Sequence, residues 1–322
     1  MVALPSDFPL DFYRCPTLRR LCETLGGAES ARFVGGAVRD RALGLRATDI
    51  DVAVAFPFDD VARLLRRAGY ALKETGRKQG SLTVALDGPF YPYAQVTSLR
   101  RDVACHGRGA EVEYTDDWQG DAVRRDFTIN ALYLDASGAL YDYTEGSADL
   151  AAGLLKTIGE PETRFRQDYL RVLRLFRFYA CLPTPRVDAS TLNAAYLCAD
   201  GVNNLSAFRK REEMGRLAQG SYAERALEAL YANSALKNAL ALPGDVYPKA
   251  HMRRYLARLA ARGEKTSLYG TLAALFLACG RNAPDPADAY VESKKDRAAW
   301  RFVAYGEGRA PNAHLAAVAS CA

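Results

Sequence analysis

Two aspartates that are separated by one residue and followed by an apolar run constrain this chain more than any other feature. The segment reads Asp49-Ile-Asp51-Val-Ala-Val-Ala, and an apolar run of this kind is typical of a β-strand. Residues i and i+2 of a strand point to the same face of a sheet, so the two carboxylates should project together. Adjacent carboxylates repel each other unless a cation lies between them, and Mg²⁺ is the usual occupant of such sites in phosphoryl transfer. We therefore predict Asp49 and Asp51 as catalytic residues and Mg²⁺ ligands.

A glycine pair precedes these acids. Gly35 and Gly36 follow the apolar segment 31–34 and come before a helix that should begin at residue 37 or 38. Glycine lets the backbone approach a ligand closely, and the N–H groups at a helix start face an incoming anion. Arg39 can add a charge-assisted contact to phosphate. A tight turn would explain the glycines alone equally well, but Arg39 and the acids downstream favour phosphate binding.

A dense polar segment, residues 121–130, precedes another apolar strand. If the segment is helical, Asp121 and Arg125 meet as an i, i+4 pair, which can serve only to support a helix. The functional alternative is that Asp121, Arg124 and Arg125 recognise a sugar hydroxyl and a triphosphate. Beside a metal site, nucleotide binding is the favoured interpretation.

An arginine-rich segment, residues 164–178, supports two interpretations. Asp168, Arg171 and Arg174 recur every three residues, and Arg164 shares a helix stripe with the first two. Such a stripe is by default a solvated face. A carboxylate one turn from an arginine is also able to read a base edge, because the acid accepts from an amino group while the guanidinium donates. Sequence spacing does not choose between these interpretations.

The distribution of apolar residues changes along the chain. Strands are predicted at 31–34, 50–56, 81–86, 94–99, 111–114 and 129–134, with a helix at 59–69. From about residue 159 the pattern becomes helical, with segments at 170–178, 223–231, 252–261 and 271–279. The fold class predicted is α+β, with a mixed sheet first and helices after it.

Charge is distributed unevenly over the 322 residues, a length that favours two or three domains. Residues 1–200 hold 25 Lys and Arg against 27 Asp and Glu, whereas residues 201–322 hold 18 against 11, a net charge of +7. A basic C-terminal region suits the docking of a polyanion, although a solvated helical surface explains it about as well. The three histidines are scattered, which argues against a histidine metal site.

Targeting and membrane signals are not evident in the sequence. The first residues lack a basic region followed by an apolar stretch, and no run of about 18 apolar residues occurs. We therefore expect a cytoplasmic protein with no membrane partner.

Four motifs, taken in order, carry a resemblance to a known family. They are Gly35-Gly36-x-Val38-Arg39-Asp40, Asp49-x-Asp51, Arg124-Arg125-Asp126-x-x-x-Asn130 and Gln167-Asp168-x-x-Arg171. In order and spacing they resemble the class II tRNA nucleotidyltransferases, which comprise the CCA-adding enzymes of bacteria and eukaryotes and the bacterial poly(A) polymerases. The likeness extends over roughly residues 30–220, because Leu205-Ser206-Ala207-x-Arg209 with Glu213-Met214 resembles a helix motif that follows in the family.

This resemblance implies an architecture. It implies a polymerase-β-like nucleotidyltransferase head over residues 1–140 and a helical, nucleotide-reading neck over 141–200. A helical body with a short tail, over 201–322, would form the tRNA-binding region. A flexible head loop that assists the switch from C to A addition would correspond to residues 102–110.

The resemblance also implies an activity and a set of site residues. The activity is addition of C, C and A from CTP and ATP to the 3′ end of tRNA, with release of pyrophosphate. Asp49 and Asp51 would hold Mg²⁺, while Asp168 and Arg171 would pair with the incoming base. The nucleotide-binding residues implied are Gly35, Gly36, Arg39, Asp121, Arg124, Arg125, Asn130, Asp168, Arg171, Arg174 and Arg177. Alternatives are A-only addition, as in a poly(A) polymerase or half of a split CCA system, and a non-catalytic RNA-binding protein.

Three positions depart from the family pattern. Gln167 stands where the family usually has Glu, which removes a charge from the base-reading motif and is expected to loosen the orientation of Arg171 or to shift the base preference. Gln95 occupies a strand position where relatives often carry an acid, so a third acidic metal partner is expected to be missing. Phe208 replaces an acidic residue that is common beside Arg209.

Overall fold

The computed structural model describes residues 11–261 except 48, 78, 79, 89, 107 and 108, together with 271, 272, 274, 275 and 278. The chain divides into two compact units, Met1–Glu160 and Pro161–Ala322. The division falls within the range 141–200, for which the sequence predicts a neck.

A seven-stranded mixed sheet forms the centre of the first unit. The described strands of this unit are β1 (Ala31–Val34), β2 (Ile50–Val54), β3 (Leu72–Gly76), β4 (Ser81–Ala85), β5 (Tyr93–Ser98), β6 (Arg100–His106), β7 (Gly109–Tyr114), β8 (Leu132–Leu134), β9 (Leu140–Asp142) and β10 (Leu154–Leu155). The sheet order is β3-β4-β5-β2-β1-β8-β9. β2 and β5 pair in parallel, and the other neighbours pair antiparallel. The predicted mixed sheet is confirmed.

Side chains of the central strands point alternately to the two faces of the sheet. In β2 the side chains of Ile50 and Val52 are buried on one face, and Asp51 lies on the other. On the Asp51 side, an apolar cluster that includes Val34, Ala53 and Tyr133 covers part of the sheet. Ala122 belongs to the same cluster, so the helix that carries it packs on the face of the two acids.

Five α-helices accompany the sheet in the described part of this unit. They are α1 (Pro16–Thr24), α2 (Gly36–Ala42), α3 (Phe58–Arg67), α4 (Trp118–Val123) and α5 (Gly146–Ala151). In α3, Val61 and Leu65 are buried, while acids occupy the first turn and arginines the last, which complements the helix dipole. The helix predicted at 59–69 is therefore confirmed.

The described secondary-structure elements of the second unit are helices, joined by turns, except for the two-residue strand β11 (Arg186–Val187). Its helices are α6 (Pro161–Gln167), α7 (Leu170–Cys181), α8 (Ala189–Leu197), α9 (Ala207–Ala218), α10 (Ala223–Tyr231), α11 (Ser234–Ala239) and α12 (Lys249–Ala261). α7 packs against α9 and α10 and buries Leu173 and Phe176. In the segment predicted helical at 271–279, the described residues 271, 272, 274, 275 and 278 are helical, and the other four lie outside the described residues. Among the helices that the structure describes in either unit, none has the length and apolar content to span a bilayer.

Two segments differ from the sequence predictions. The first half of the strand predicted at 129–134 is a 3₁₀ turn, Thr128–Asn130, and only the second half joins the sheet as β8. In the segment 102–110, predicted as a flexible loop, residues 102–106 belong to β6 and residues 109–110 to β7, which pair antiparallel, while 107 and 108 lie outside the described residues. The ion pair between Arg101 and Glu113 joins these two strands, with nitrogen and oxygen 2.8 Å apart. The strand predicted at 111–114 lies within β7, whereas β6 was not predicted, because its charged residues mask the apolar alternation by which a strand is recognised.

Substituting Gly146 tests how firmly the 3₁₀ turn is held. A Cβ at this buried position would overlap the carbonyl group of Thr128, which begins the turn. We expect Gly146→Ala to lower the free energy of unfolding by about 2 kcal/mol, because backbone on both sides must shift. Urea unfolding measures the change, and Ala148→Ser, at an exposed position of the same helix, is the control. Equal stability of the two variants would contradict this packing.

Candidate active site

Gly35 joins β1 to α2 in a conformation that other residues rarely adopt. Its φ is 71°, and its amide donates to the carbonyl oxygen of Leu132 at 3.3 Å. A Cβ placed on Gly35 would lie 3.9 Å from Nη1 of Arg125 and from the carbonyl oxygen of Asn130. The glycine turn therefore lies directly against the segment 121–130. Gly36 begins α2, one residue earlier than the earliest predicted start.

Arg39 connects the glycine turn to Asn130. Its Nη1 donates to Oδ1 of Asn130 at 2.6 Å, and its Nη2 donates to Asp40 at 2.7 Å. Asn130 in turn donates from Nδ2 to Oδ1 of Asp126 at 3.0 Å, which fixes which amide atom faces the arginine. The side chain of Arg39 is 14% exposed, so the guanidinium is held by partners but still reaches the surface.

Asp121 is the buried centre of the arginine cluster. Its carboxylate accepts hydrogen bonds from Nε of Arg124 at 2.8 Å, Nη2 of Arg125 at 2.8 Å and the Tyr133 hydroxyl at 2.7 Å. Burial alone would raise the pKa of Asp121, but Arg125, Arg124 and the tyrosine hydroxyl together lower it to about 2. Burial disfavours the charged form of Arg125, but the neighbouring carboxylate of Asp121 raises the pKa of the guanidinium. The carboxylate is thus a fixed counter-charge that orients two arginines.

The two acids of the Asp-x-Asp motif lie at the beginning of β2. Asp51 is half-buried within the strand, and Asp49 is exposed just before it. Burial raises the pKa of Asp51 to about 6; Arg125 opposes this rise and Asp49 adds to it. Arg125 and Asp49 thus act electrostatically on the same carboxylate, so the acids and the arginine cluster form one site.

The donor set at these acids fits a divalent cation. Burial and the neighbouring Asp49 raise the pKa of Asp51, so this carboxylate lacks sufficient positive charge nearby, which a bound cation would supply. Gln95 of β5 pairs in register with Asp51, so a neutral amide stands beside the acid. Within the described residues, no group of three or more His, Cys, Asp or Glu side chains is arranged to hold a metal. Asp49 and Asp51 would therefore be the acidic ligands, with the remaining positions open.

Tyr133 is a site residue that the sequence did not reveal. Its side chain is fully buried, and its hydroxyl also accepts from Nε of Arg125 at 3.1 Å. Burial raises the pKa of this hydroxyl, so it keeps the proton that it donates to Asp121. In the sequence Tyr133 lies between two leucines of a short strand and is typical of an ordinary core aromatic. The rings of Trp118 and Tyr143 pack edge-on against it.

In the second unit, the arginine-rich segment is not one continuous helix. α6 ends at Gln167 and α7 begins at Leu170, so Asp168 lies at the break and the predicted single stripe is wrong. Oδ1 of Asp168 accepts the amide of Leu170 at 3.1 Å. Its two carboxylate oxygens accept Nη2 of Arg209 at 3.0 and 2.9 Å. Arg209 therefore anchors the predicted base-reading acid.

Gln167 organises two arginines through one oxygen. Its Oε1 accepts Nη1 of Arg164 at 2.6 Å and Nη1 of Arg171 at 3.2 Å. Nη1 of Arg171 also donates to the carbonyl oxygen of Arg164 at 2.9 Å. The neutral amide thus still positions Arg171, and the prediction that its orientation is loosened by this substitution is not supported.

The last two arginines of the segment lie in different environments. Arg177 is 8% exposed and forms an ion pair with buried Glu213 of α9, with Nη1 and Oε2 3.1 Å apart. Arg174 is half-buried, with its guanidinium carbon 5.4 Å from the centre of the Phe178 ring. The geometry supports a structural role for Arg177, which holds α7 on α9, in place of the predicted nucleotide contact.

Comparisons with known proteins agree with the resemblance predicted from the motifs. Residues 31–156 match the family model described as the poly(A) polymerase head domain. The mitochondrial CCA tRNA nucleotidyltransferase 1 of Danio rerio is 36% identical over 232 residues, which are 69% of this chain and 53% of that protein. A CCA-adding enzyme of Bacillus pumilus is 35% identical over 62% of this chain and 48% of the relative.

Solved structures show the same likeness in three dimensions. The Bacillus stearothermophilus CCA-adding enzyme in complex with CTP aligns with a TM-score of 0.74 at 27% identity, over 92% of this chain and 70% of that chain. A Thermotoga maritima CCA-adding enzyme complexed with tRNA shares the fold, with a TM-score of 0.66 at 17% identity. The predicted resemblance and the polymerase-β-like head are confirmed. The chain spans about half the length of the curated relatives it matches.

The low pKa of Asp121 predicts a pH-dependent contribution to stability. The pKa falls from 3.8 to about 2 on folding, so the ionised group stabilises the fold above pH 4 and this contribution is lost as the pH falls toward 2. We expect the stability difference between wild type and Asp121→Asn to shrink by about 1 kcal/mol between pH 5 and pH 3. Urea unfolding at each pH measures it. A difference independent of pH would contradict the assignment, and Asp116→Asn, at an exposed position, is the control.

Proposed function

We propose that this chain, which is similar over about two thirds of its length to CCA-adding tRNA nucleotidyltransferases, adds C, C and A from CTP and ATP to the 3′ end of tRNA. Pyrophosphate is the second product. The observation that carries the proposal is the placement of the Asp49 and Asp51 pair in one site with the Arg125 cluster and the glycine turn. That placement unites groups suited to a metal with groups suited to a triphosphate.

The two acids supply the metal-binding part of this site. Asp49 and Asp51 would hold Mg²⁺, which neutralises charge on the triphosphate and favours ionisation of the attacking 3′-hydroxyl. Nucleotidyl transfer needs little covalent chemistry from the protein, so the acids contribute by position and charge. The 3′-oxygen of the RNA displaces pyrophosphate from the α-phosphorus of the nucleotide.

The arginines and glycines form the nucleotide-binding part. Gly35 and Gly36 let the backbone approach the phosphates, and Arg39 and Arg125 provide charge beside that turn. Arg124 joins them through its shared contact with Asp121. Asp121 itself is 1% exposed, so we propose that it acts through the arginines and does not contact the nucleotide. Asn130 likewise acts by fixing Arg39.

The helical unit would read the base and dock the RNA. Asp168 and Arg171 offer an acceptor and donors suited to a base edge, and Arg209 and Gln167 hold them in place. Arg174 is a further candidate nucleotide contact. The basic region 201–322 would dock the tRNA, because positive charge attracts the phosphate backbone. In this proposal the head, 1–140, holds the metal and the triphosphate, the neck, 141–200, reads the base, and the body, 201–322, docks the tRNA.

Neutralising either acid tests the catalytic assignment. We expect Asp49→Asn and Asp51→Asn each to lower incorporation of labelled CTP into tRNA at least about a hundredfold, because charge stabilisation in the transition state is lost. Asp59→Asn is the matched control, since this head-unit acid has a side chain 76% exposed on α3. Chelation should abolish wild-type incorporation, and added Mg²⁺ should restore it. Near-normal turnover by the Asp49 and Asp51 variants would refute the assignment.

A matrix of primers and nucleotides tests the activity itself. With CTP alone, a transcript ending before the first C should gain two residues; with ATP alone, a transcript ending before the terminal A should gain one. Extension of only the second transcript would indicate A-only addition. RNA binding without any extension would indicate a non-catalytic protein.

Substituting Arg171 tests base reading. Arg171→Ala should lose discrimination between CTP and ATP, because the guanidinium that reads the base is gone. Arg216→Ala, exposed on α9, is the control.

A further inference from the structure

β5 carries an aromatic ring beside the two acids. β2 and β5 pair in parallel with Ile50 opposite Ala94 and Asp51 opposite Gln95. Paired residues of neighbouring strands share a face, and so do residues two apart on one strand. Tyr93, two residues before Gln95 on β5, therefore lies on the same face of the sheet as Asp51, on the strand next to β2.

This end of the face is open to solvent. Tyr93 is 61% exposed, and Gln95, two residues along the same strand, is also exposed. The other end of the face is covered by the cluster that includes Ala53, Tyr133 and Ala122. An aromatic side chain this exposed in the middle of a sheet gains little from burial on folding, which leaves its ring available to a ligand.

A second exposed ring, with an arginine beside it, lies near the starts of the same two strands but on the α1 side of the sheet, opposite to the Asp51 face. The loop before β2 carries Arg46, and the loop before β5 carries Phe90, which is 56% exposed. The guanidinium carbon of Arg46 lies 5.7 Å from the centre of the Phe90 ring, so the two loops meet. Exposed aromatic rings bind the bases of single-stranded RNA by stacking, and Tyr93 is the exposed ring that lies on the Asp51 face.

From this arrangement we propose that Tyr93 is the stacking platform for the base of the nucleotide at the 3′ end of the RNA. The inference rests on the proposed function, because it identifies the acids as the place where the RNA 3′-hydroxyl reacts. The base on the same ribose then lies within reach of the neighbouring strand, where Tyr93 presents its ring. Stacking accepts every base, since each has a π face, and this suits an RNA end whose identity changes as residues are added.

RNA binding by the full chain tests the proposal without turnover. Fluorescence anisotropy would measure the Kd for a tRNA transcript lacking CCA, and for the same transcript with an abasic 3′ nucleotide. We expect Tyr93→Ala to weaken binding of the normal transcript about five- to a hundredfold, and Tyr93→Phe to retain it. The abasic transcript should bind wild type and Tyr93→Ala equally, because the stacking partner is already absent.

Steady-state kinetics and a control variant complete the test. The KM for RNA should rise in Tyr93→Ala while the KM for CTP stays unchanged. The control is Leu140→Ala, which removes a half-exposed side chain of the edge strand β9. This variant should have the same KM for RNA and the same KM for CTP as wild type. Equal weakening of both transcripts by Tyr93→Ala, or a rise only in the KM for CTP, would overturn the proposal. RNA binding without extension by wild type would instead overturn the proposed function, and the anisotropy comparison would still decide the role of Tyr93.

Discussion

The buried carboxylate of Asp121 is the interaction on which the rest of the head site depends. It is 1% exposed, and its two oxygens accept hydrogen bonds from two arginines and a tyrosine. A buried carboxylate without such partners would be strongly unfavourable, and the arginines would be equally unfavourable without it. The cluster fixes Arg125 between the glycine turn and Asp51. Three segments distant in sequence are in this way joined into one site.

Much of the head could be predicted because local signals and tertiary structure agree there. The Asp-x-Asp motif was predicted on a strand face, and Asp51 lies within β2 on the face opposite to Ile50 and Val52. The i, i+4 spacing of Asp121 and Arg125 predicted their contact, although α4 ends at Val123. Tyr133 could not be identified, because its hydroxyl has a role only once β8 lies beside the end of α4. No local pattern distinguishes it from a core aromatic.

The helical unit shows where spacing fails as a guide. Arginines every three residues in the segment 171–177 look alike in the sequence, yet Arg177 is buried against Glu213 and Arg171 shares Gln167 with Arg164. The partner of Arg177 lies 36 residues away on another helix, so its burial follows from tertiary packing alone. The break at Asp168 was missed for a similar reason, since an acid in a helical pattern looks like an ordinary surface residue until its bonds to Leu170 and Arg209 are known.

The parallel pairing of β2 and β5 has a consequence for how the head folds. Parallel neighbours cannot be joined by a tight turn, and here α3, β3 and β4 intervene between them. The acids and the strand beside them therefore meet only after a long loop has closed, a step that costs chain entropy and is slow compared with forming a local hairpin. A chain without this pairing lacks the juxtaposition of Asp51 with β5. The site thus forms only when strands that are distant in the sequence have assembled into the sheet.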